Sequence, residues 1–277
     1  MARILLIGDR DDLKKSLEAS GALTGCEIIL AWGNVDALRH VRRRAIDVVI
    51  TDPHTSVHDD IVLLEELRAA RPGLKAIVLA PAAAPADLIE ALRSQVFACF
   101  IAPFDAVPVA DMVKRAVDAI DWHDGITVES GLPNWISLSV ACRHLTAERL
   151  VHFMSEYRQD LAEGERDDLM MAFRELLMNA MEHGAGFDPE KAINVTAIRT
   201  DRAIVYYFRD PGTGFTIDRL EQSALSNTDA DPIAHLERRA DMGLRPGGFG
   251  ILVAKQVVDE MYYNERGNEV VLIKRLE

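Results

Sequence analysis

Residues 170–186 read MMAFRELLMNAMEHGAG. The pattern is that of a helix with almost no polar face. Leu169, Met170, Met171, Ala172, Phe173, Leu176, Leu177, Met178, Ala180 and Met181 cover most of its circumference, and a helix apolar nearly all round is expected to be buried. Glu175, Asn179 and Glu182 interrupt it at i, i+4 and i+7, on one narrow stripe. A buried carboxylate is costly unless a cation or hydrogen-bond donors satisfy it. A divalent metal carrying phosphate oxygens would satisfy this stripe. So would loops that the stripe caps, and the segment alone leaves both open.

Two glycine turns lie downstream. Asp210-Pro-Gly-Thr-Gly-Phe215 follows the apolar run Ala203–Phe208, and Gly247-Gly-Phe-Gly250 opens a helical pattern over Ile251–Glu260. Glycine lets backbone amides approach a ligand with no Cβ in the way. A glycine turn at a helix start is also a ready phosphate site. In the order E-x-x-x-N, D-x-G-x-G, G-x-G, these pieces resemble the ATP-binding domain of the gyrase, histidine kinase and MutL superfamily, the Bergerat fold. The resemblance runs from about Trp135 to Glu277. It is closest to the anti-sigma-factor serine kinase branch, through ELLMNAMEHG and the closing GGFGILVAKQVVDEMYYNERGNEVVLIKRLE.

That resemblance implies roles. Asn179 would be the magnesium ligand that bridges the metal to the triphosphate, as suits an ion bound by few protein groups plus phosphates and waters. Glu175, one turn earlier, would be the general base. Asp210 would accept the adenine exocyclic amine, with Gly212 and Gly214 letting the loop approach the base and Thr213 a bystander. Gly248 and Gly250 would lie under the phosphates at a helix N-terminus. Arg245 would reach the γ-phosphate from a lid over Thr216–Pro246, a connection long enough to be functional. Glu182 and His183 complete the signature without a chemical role. The implied cofactors are ATP and magnesium. The implied partner is a regulatory protein, an anti-sigma antagonist phosphorylated on serine or threonine or a sigma factor held by the same domain, and a homodimer is compatible with the family.

The first 121 residues alternate strand and helix signals five times. Short apolar runs at Arg3–Ile7, Cys26–Ala31, Asp47–Asp52, Lys75–Ala80 and Ala98–Pro103 are those of strands covered on both faces. Such repeats predict a doubly wound five-stranded parallel sheet, flavodoxin-like, with functional residues at the carboxyl ends of its strands. The layout resembles the receiver domain of response regulators. Asp52 stands at the phosphoacceptor position and Asp9 at the second place of the metal-binding acid pair. The first place of that pair is Gly8, the usual hydroxyl residue is Ala80, and the usual lysine is Ala102. The expectation is a degenerate receiver that docks, dimerises or regulates, with phosphorylation of Asp52 as the lesser reading. His54 and His58 beside this loop are expected to be solvated rather than metal-bound.

The expected organisation is residues 1–121 as the receiver-like domain, 122–134 as a linker and 135–277 as an α/β sandwich with helices on one face of a mixed sheet. The stretch after the linker has one clear helix pattern, Thr146–Ala162, before the next begins. That is too little for the helix pair that carries a sensor kinase's phosphorylated histidine, so His144 and His152 are poor candidates for that role. A net charge of −13 over 277 residues disfavours nucleic acid as the main partner. The basic run Arg39–Arg44 is expected to be a solvated helix face. No apolar run approaches the length of about 20 residues needed to span a bilayer, and the three cysteines are far apart without ligand spacing. A cytoplasmic chain without membrane contact is expected. Two other readings stay open: an ATP-driven binding switch with no phosphoryl transfer, and a histidine-kinase relative that acts on a partner's histidine.

Overall fold

The computed structural model describes residues 1–120, 122–214 and 250–276. The chain divides into two compact units, Met1–Asp124 and Gly125–Glu277. No described helix is long and apolar enough to cross a membrane.

The N-terminal unit runs β1 (Arg3–Ile7), α1 (Asp11–Ala19), β2 (Glu27–Ala31), α2 (Asn34–Arg43), β3 (Val48–Ile50), α3 (Val57–Ala70), β4 (Lys75–Ala80), α4 (Pro85–Arg93), β5 (Ala98–Ile101) and α5 (Ala106–Asp118). The strands form one parallel sheet in the order β2-β1-β3-β4-β5. Every residue of β3, β4 and β5 is buried, as expected for strands with helices on both faces. The order reverses between β1 and β3. A crevice opens at the carboxyl ends of strands at such a point, and Gly8 and Asp52 follow those two strands. On α2 the basic run is solvent-facing, with Arg39 paired to Asp36 at 2.6 Å.

The C-terminal unit runs β6 (Ile126–Leu132), β7 (Trp135–Ala141), α6 (His144–Glu156), α7 (Glu163–Asn179), a π-helical turn (Ala180–Gly184), β8 (Ala192–Arg199), β9 (Ala203–Arg209), α8 (Gly250–Val257), β10 (Glu260–Tyr263) and β11 (Glu269–Arg275). The sheet order is β10-β11-β9-β8-β7-β6, and every neighbouring pair is antiparallel. This corrects the expected mixed sheet: the hairpins β6-β7, β8-β9 and β10-β11 reverse the chain, the helical excursion between β7 and β8 returns it in the opposite sense, and β11 lies antiparallel to β9. It also corrects the expected linker. Residues 126–132 pair with β7 along its whole length, with a register shift between Val128 and Ser130.

Burial alternates along the sheet, through Ile193, Val195 and Ala197 on β8 and Ile204, Tyr206 and Phe208 on β9. One face is therefore dry, and α6 and α7 lie over it. Phe173 of α7 is the centre of this packing, its ring 4.9 Å from Tyr206 and 5.0 Å from Phe208. The expected all-round burial of the helix is not met: Met171 is 41 % exposed. The helix packs on α6, α8 and β9, and its fourth side faces water.

Candidate functional site

Glu175 and Asn179 stand one turn apart near the C-terminal end of α7. Both are half-buried, and neither side chain has a hydrogen-bond partner among the described residues. They are available to a ligand rather than locked into the fold. Glu182 and His183, further along the stripe, are exposed, so the stripe runs from half-buried at Glu175 to open at Glu182.

After Asn179 the helix widens. The Ala185 amide donates to Ala180 O at 3.1 Å, the bond of a π turn, and Phe187 N donates to Met181 O at 2.8 Å. Single π turns inside α-helices recur at functional sites. The chain leaves this turn through two left-handed residues, Gly186 at φ 67° and Phe187 at φ 51°. The Phe187 ring stacks on His144 at 4.3 Å. His144 thus anchors the loop.

The π turn delivers Gly184 to Asp210. A Cβ on Gly184 would lie 2.2 Å from the Asp210 Cγ, and one on Gly212 would lie 2.6 Å from the Gly184 carbonyl oxygen. Both glycines are needed because backbone and carboxylate meet there. Asp210 follows β9 and is fixed on three sides. Its amide donates to Asn268 O at 3.0 Å, Asn268 Nδ2 donates to its carbonyl at 3.2 Å, and Gly212 N donates to its Oδ1 at 2.8 Å. Its Oδ2 accepts no hydrogen bond from the described residues. Burial raises the Asp210 pKa, while the Gly212 amide and the Arg266 charge oppose that rise. The result is a half-buried carboxylate with one oxygen engaged and one free.

Gly214 is held differently. It sits at φ +80°, and a Cβ there would lie 1.8 Å from Arg266 O. Arg266 also donates from Nη2 to Gly212 O at 3.2 Å and from Nε to Thr213 O at 3.4 Å. The close approach that Gly212 and Gly214 permit is therefore to the protein's own backbone, on the side where a Cβ would sit. The Arg266–Asn268 turn that presses on the loop is organised by Asn264, whose Oδ1 accepts from the amides of Gly267, Asn268 and Glu269 at 2.8 to 3.2 Å. Sequence reading gave Arg266-Gly267-Asn268 no part in the site and treated Gly184 only as the end of a signature. The contact that gives them a role in the site spans 26 to 58 residues, out of reach of any local pattern.

Gly250 opens α8, which packs on α7. Gly248, Arg245 and the lid Thr216–Pro246 lie outside the described residues.

In the N-terminal unit Asp52 accepts from His54 N through Oδ1 at 3.0 Å. Gly8 sits at φ +99°, and a Cβ there would come 2.5 Å from Asp52 Oδ2. An acid in place of Gly8 would meet both backbone strain and the carboxylate itself. Asp9 is exposed, and Arg10 reaches across to His54, with Nη1 2.8 Å from Nε2. His58 contacts Glu90 at 3.0 Å. No cluster of histidine, cysteine and acids suited to a metal occurs among the described residues. The structure also shows a carboxyl that sequence reading did not single out. Asp60 of α3 is 3 % exposed beside the Asp52 loop.

Comparison with known proteins places these features. Residues 139–274 match the family described as the histidine kinase-like ATPase domain. The chain is 26 % identical over 137 residues to the transcriptional regulatory protein GlrR of Escherichia coli K12, covering 47 % of this chain and 31 % of that one. It is 31 % identical over 115 residues to the regulatory protein AtoC of the same organism, covering 42 % and 25 %. The chain thus spans about a third or less of the length of these curated relatives. Among solved structures it is similar to a response regulator receiver domain from Clostridium thermocellum, at 23 % identity and TM-score 0.38, covering 44 % of this chain and 98 % of that one. A CheY-like receiver domain from Methanospirillum hungatei is similar at 20 % identity and TM-score 0.37, covering 43 % and 94 %. The chain joins a receiver-like domain to a C-terminal domain that matches the histidine kinase-like ATPase family over residues 139–274.

Proposed function

We propose that the C-terminal unit binds magnesium-ATP between α7 and the Asp210 loop and transfers the γ-phosphoryl group to a serine or threonine of a partner regulatory protein. The observation that carries this reading is the meeting of Asp210 with Gly184, at the end of the helix that bears Glu175 and Asn179. Sequence pieces far apart in the chain converge there as one site with uncommitted polar groups. Asp210 Oδ2 is free to accept the adenine amine, and the fixed backbone around it holds that acceptor in one orientation. Asn179 offers an amide oxygen to magnesium. Glu175 is free to take the proton of an incoming hydroxyl and lies on the same helix face. Bound magnesium-ATP supplies the phosphoryl group and the charge neutralisation that its transfer needs. The receiver-like unit is the regulatory or docking module. The same site would serve an ATP-ordered binding switch, and Glu175 separates the two.

Calorimetry with magnesium-ATP tests the site. Asn179→Ala and Asp210→Ala each lower affinity at least tenfold, whereas Glu175→Gln leaves binding near the wild-type level. Unchanged affinity in both of the first two variants removes the assignment. In a phosphotransfer screen Glu175→Gln abolishes acid-stable labelling of the partner. Labelling that survives this change, or that is acid-labile, refutes the serine/threonine reading.

A further inference from the structure

The largest fully buried side chain among the described residues is Arg158, just beyond α6, at 2 % exposure. Its guanidinium is poorly served by the protein. Nη1 makes one long bond, to Tyr157 O at 3.3 Å, and Nε and Nη2 are buried without any partner. No carboxylate among the described residues forms an ion pair with it. The acid that follows it, Asp160, is turned to the surface, paired with Arg199 Nε at 2.9 Å. Two aromatic rings flank the guanidinium, with its Cζ 4.5 Å from the Tyr157 centroid and 5.9 Å from that of Tyr206. Ring faces stabilise a cation in part, but they leave N–H groups in the ring plane unsatisfied.

A second unsatisfied donor lies beside it. Tyr206 on β9 is fully buried, and its hydroxyl has no hydrogen-bond partner. Burial pushes its pKa up to about 12, against the charge and the hydrogen-bonding approach of the Arg158 guanidinium, so the phenol oxygen faces Arg158 and keeps its proton. The Tyr157 hydroxyl, also within reach of the guanidinium, donates to Pro133 O at 2.9 Å. The core between α6, α7 and the sheet thus holds a positive charge whose Nε and Nη2 make no hydrogen bond of normal geometry, facing a phenol that keeps its proton, with no anion supplied by the described chain. Buried charges are normally paired and buried donors normally bonded.

We infer that Arg158 and Tyr206 form an internal binding site for a small inorganic anion, chloride being the simplest that fits. The residues Tyr157, Tyr206, Phe153 and Phe173 around it are each less than a tenth exposed, so an occupant is shut off from bulk water and a small anion is favoured over an esterified one. The site lies under α7, whose Phe173 meets Tyr206 edge-to-face two residues before Glu175. It is separate from the nucleotide site and does not depend on that assignment.

The test uses the full chain. Thermal unfolding is followed while sodium chloride replaces sodium gluconate at constant ionic strength, and crystals grown in bromide are examined by anomalous diffraction. The expected result is a melting temperature that rises with the logarithm of halide concentration once the site begins to fill. A bromide peak within hydrogen-bonding distance of the Arg158 guanidinium and the Tyr206 hydroxyl is expected with it. Tyr206→Phe keeps the ring and removes one donor, and it weakens the halide dependence several-fold. Arg158→Met abolishes that dependence. A wild-type melting temperature indifferent to halide overturns the inference. So does a map with water in place of bromide, or a halide dependence equal in wild type and Tyr206→Phe.

Discussion

Replacing Asp60 by asparagine should change how the stability of the N-terminal unit depends on pH. Asp60 is 3 % exposed on α3, and its Oδ2 is buried without a partner. Burial raises its pKa from 3.8 to about 6; hydroxyl contacts from Thr51 and Thr55 oppose the rise, and the charges of Asp52 and Asp59 add to it. The geometry favours a neutral group. Thr55 Oγ1 lies 2.6 Å from Asp52 O and 2.7 Å from Asp60 Oδ1. One hydroxyl proton cannot serve both, but a protonated Asp60 can donate to Thr55 while Thr55 donates to the carbonyl.

The folded state then binds this proton more tightly than the unfolded chain. Stability from this group is fully present below pH 3.8 and is lost as pH rises through about 6. The rise from 3.8 to about 6 corresponds to about 3 kcal/mol. Asparagine keeps the donor to Thr55 and cannot ionise. Asp60→Asn should match wild type only below pH 3.8, and its advantage should grow by roughly 2 kcal/mol between pH 4.5 and 7.5. Urea denaturation of the full chain in a Trp135→Phe background reads this unit, because the remaining tryptophans, Trp32 and Trp122, both lie within it. Parallel stability curves for the two proteins between pH 4.5 and 7.5 would refute the reasoning.

Gly184→Ala places a Cβ 2.2 Å from the Asp210 carboxylate and must displace it, at a cost of about 1 to 3 kcal/mol. ATP affinity measured by calorimetry should fall at least tenfold while α-helix content by circular dichroism is unchanged. Gly214→Ala meets both the φ of +80° and the Arg266 carbonyl at 1.8 Å. It should cost more than about 2 kcal/mol in chemical denaturation of the C-terminal unit, more than Gly164→Ala, where a Cβ meets nothing. Because burial raises the Asp210 pKa, the free acceptor is lost on acidification earlier than for an ordinary aspartate. ATP affinity should therefore weaken as the pH falls through the raised pKa, and Asp210→Asn should flatten that dependence. His144→Ala removes the ring under Phe187 and should speed amide exchange over 183–188, read by mass spectrometry, with little change elsewhere.

The parts of this protein that sequence disclosed are those with a local signature. The five runs of the parallel sheet were legible because strands covered on both faces must be largely apolar, as residues 76–80 show with every one buried. Asp52, Asp210 and the Glu175–Asn179 pair were legible from spacing and resemblance. Strand β6 was not. As an edge strand it buries Ile126 and leaves Glu129, Ser130 and Leu132 largely in solvent, so ITVESGL reads like a connector. Met171 carried an apolar signal but faces water, since a helix between two others needs only part of its circumference covered. Arg158 looked like one more charge in a polar stretch, and nothing in the order of residues reveals that it folds inward.

The π turn at Ala180–Gly184 acts as a phase adjuster. In an α-helix a residue five places on is rotated about 140° from where it began, so Gly184 would point well away from the line through Glu175 and Asn179. The wider turn takes up part of that angle. The length of this one turn therefore sets which residue meets Asp210. Removing a single residue from AMEHG would restore ordinary helical pitch and bring a side chain to the place that only a glycine can fill, so a one-residue deletion here should damage the site more than the same deletion in the 188–191 loop a few positions later.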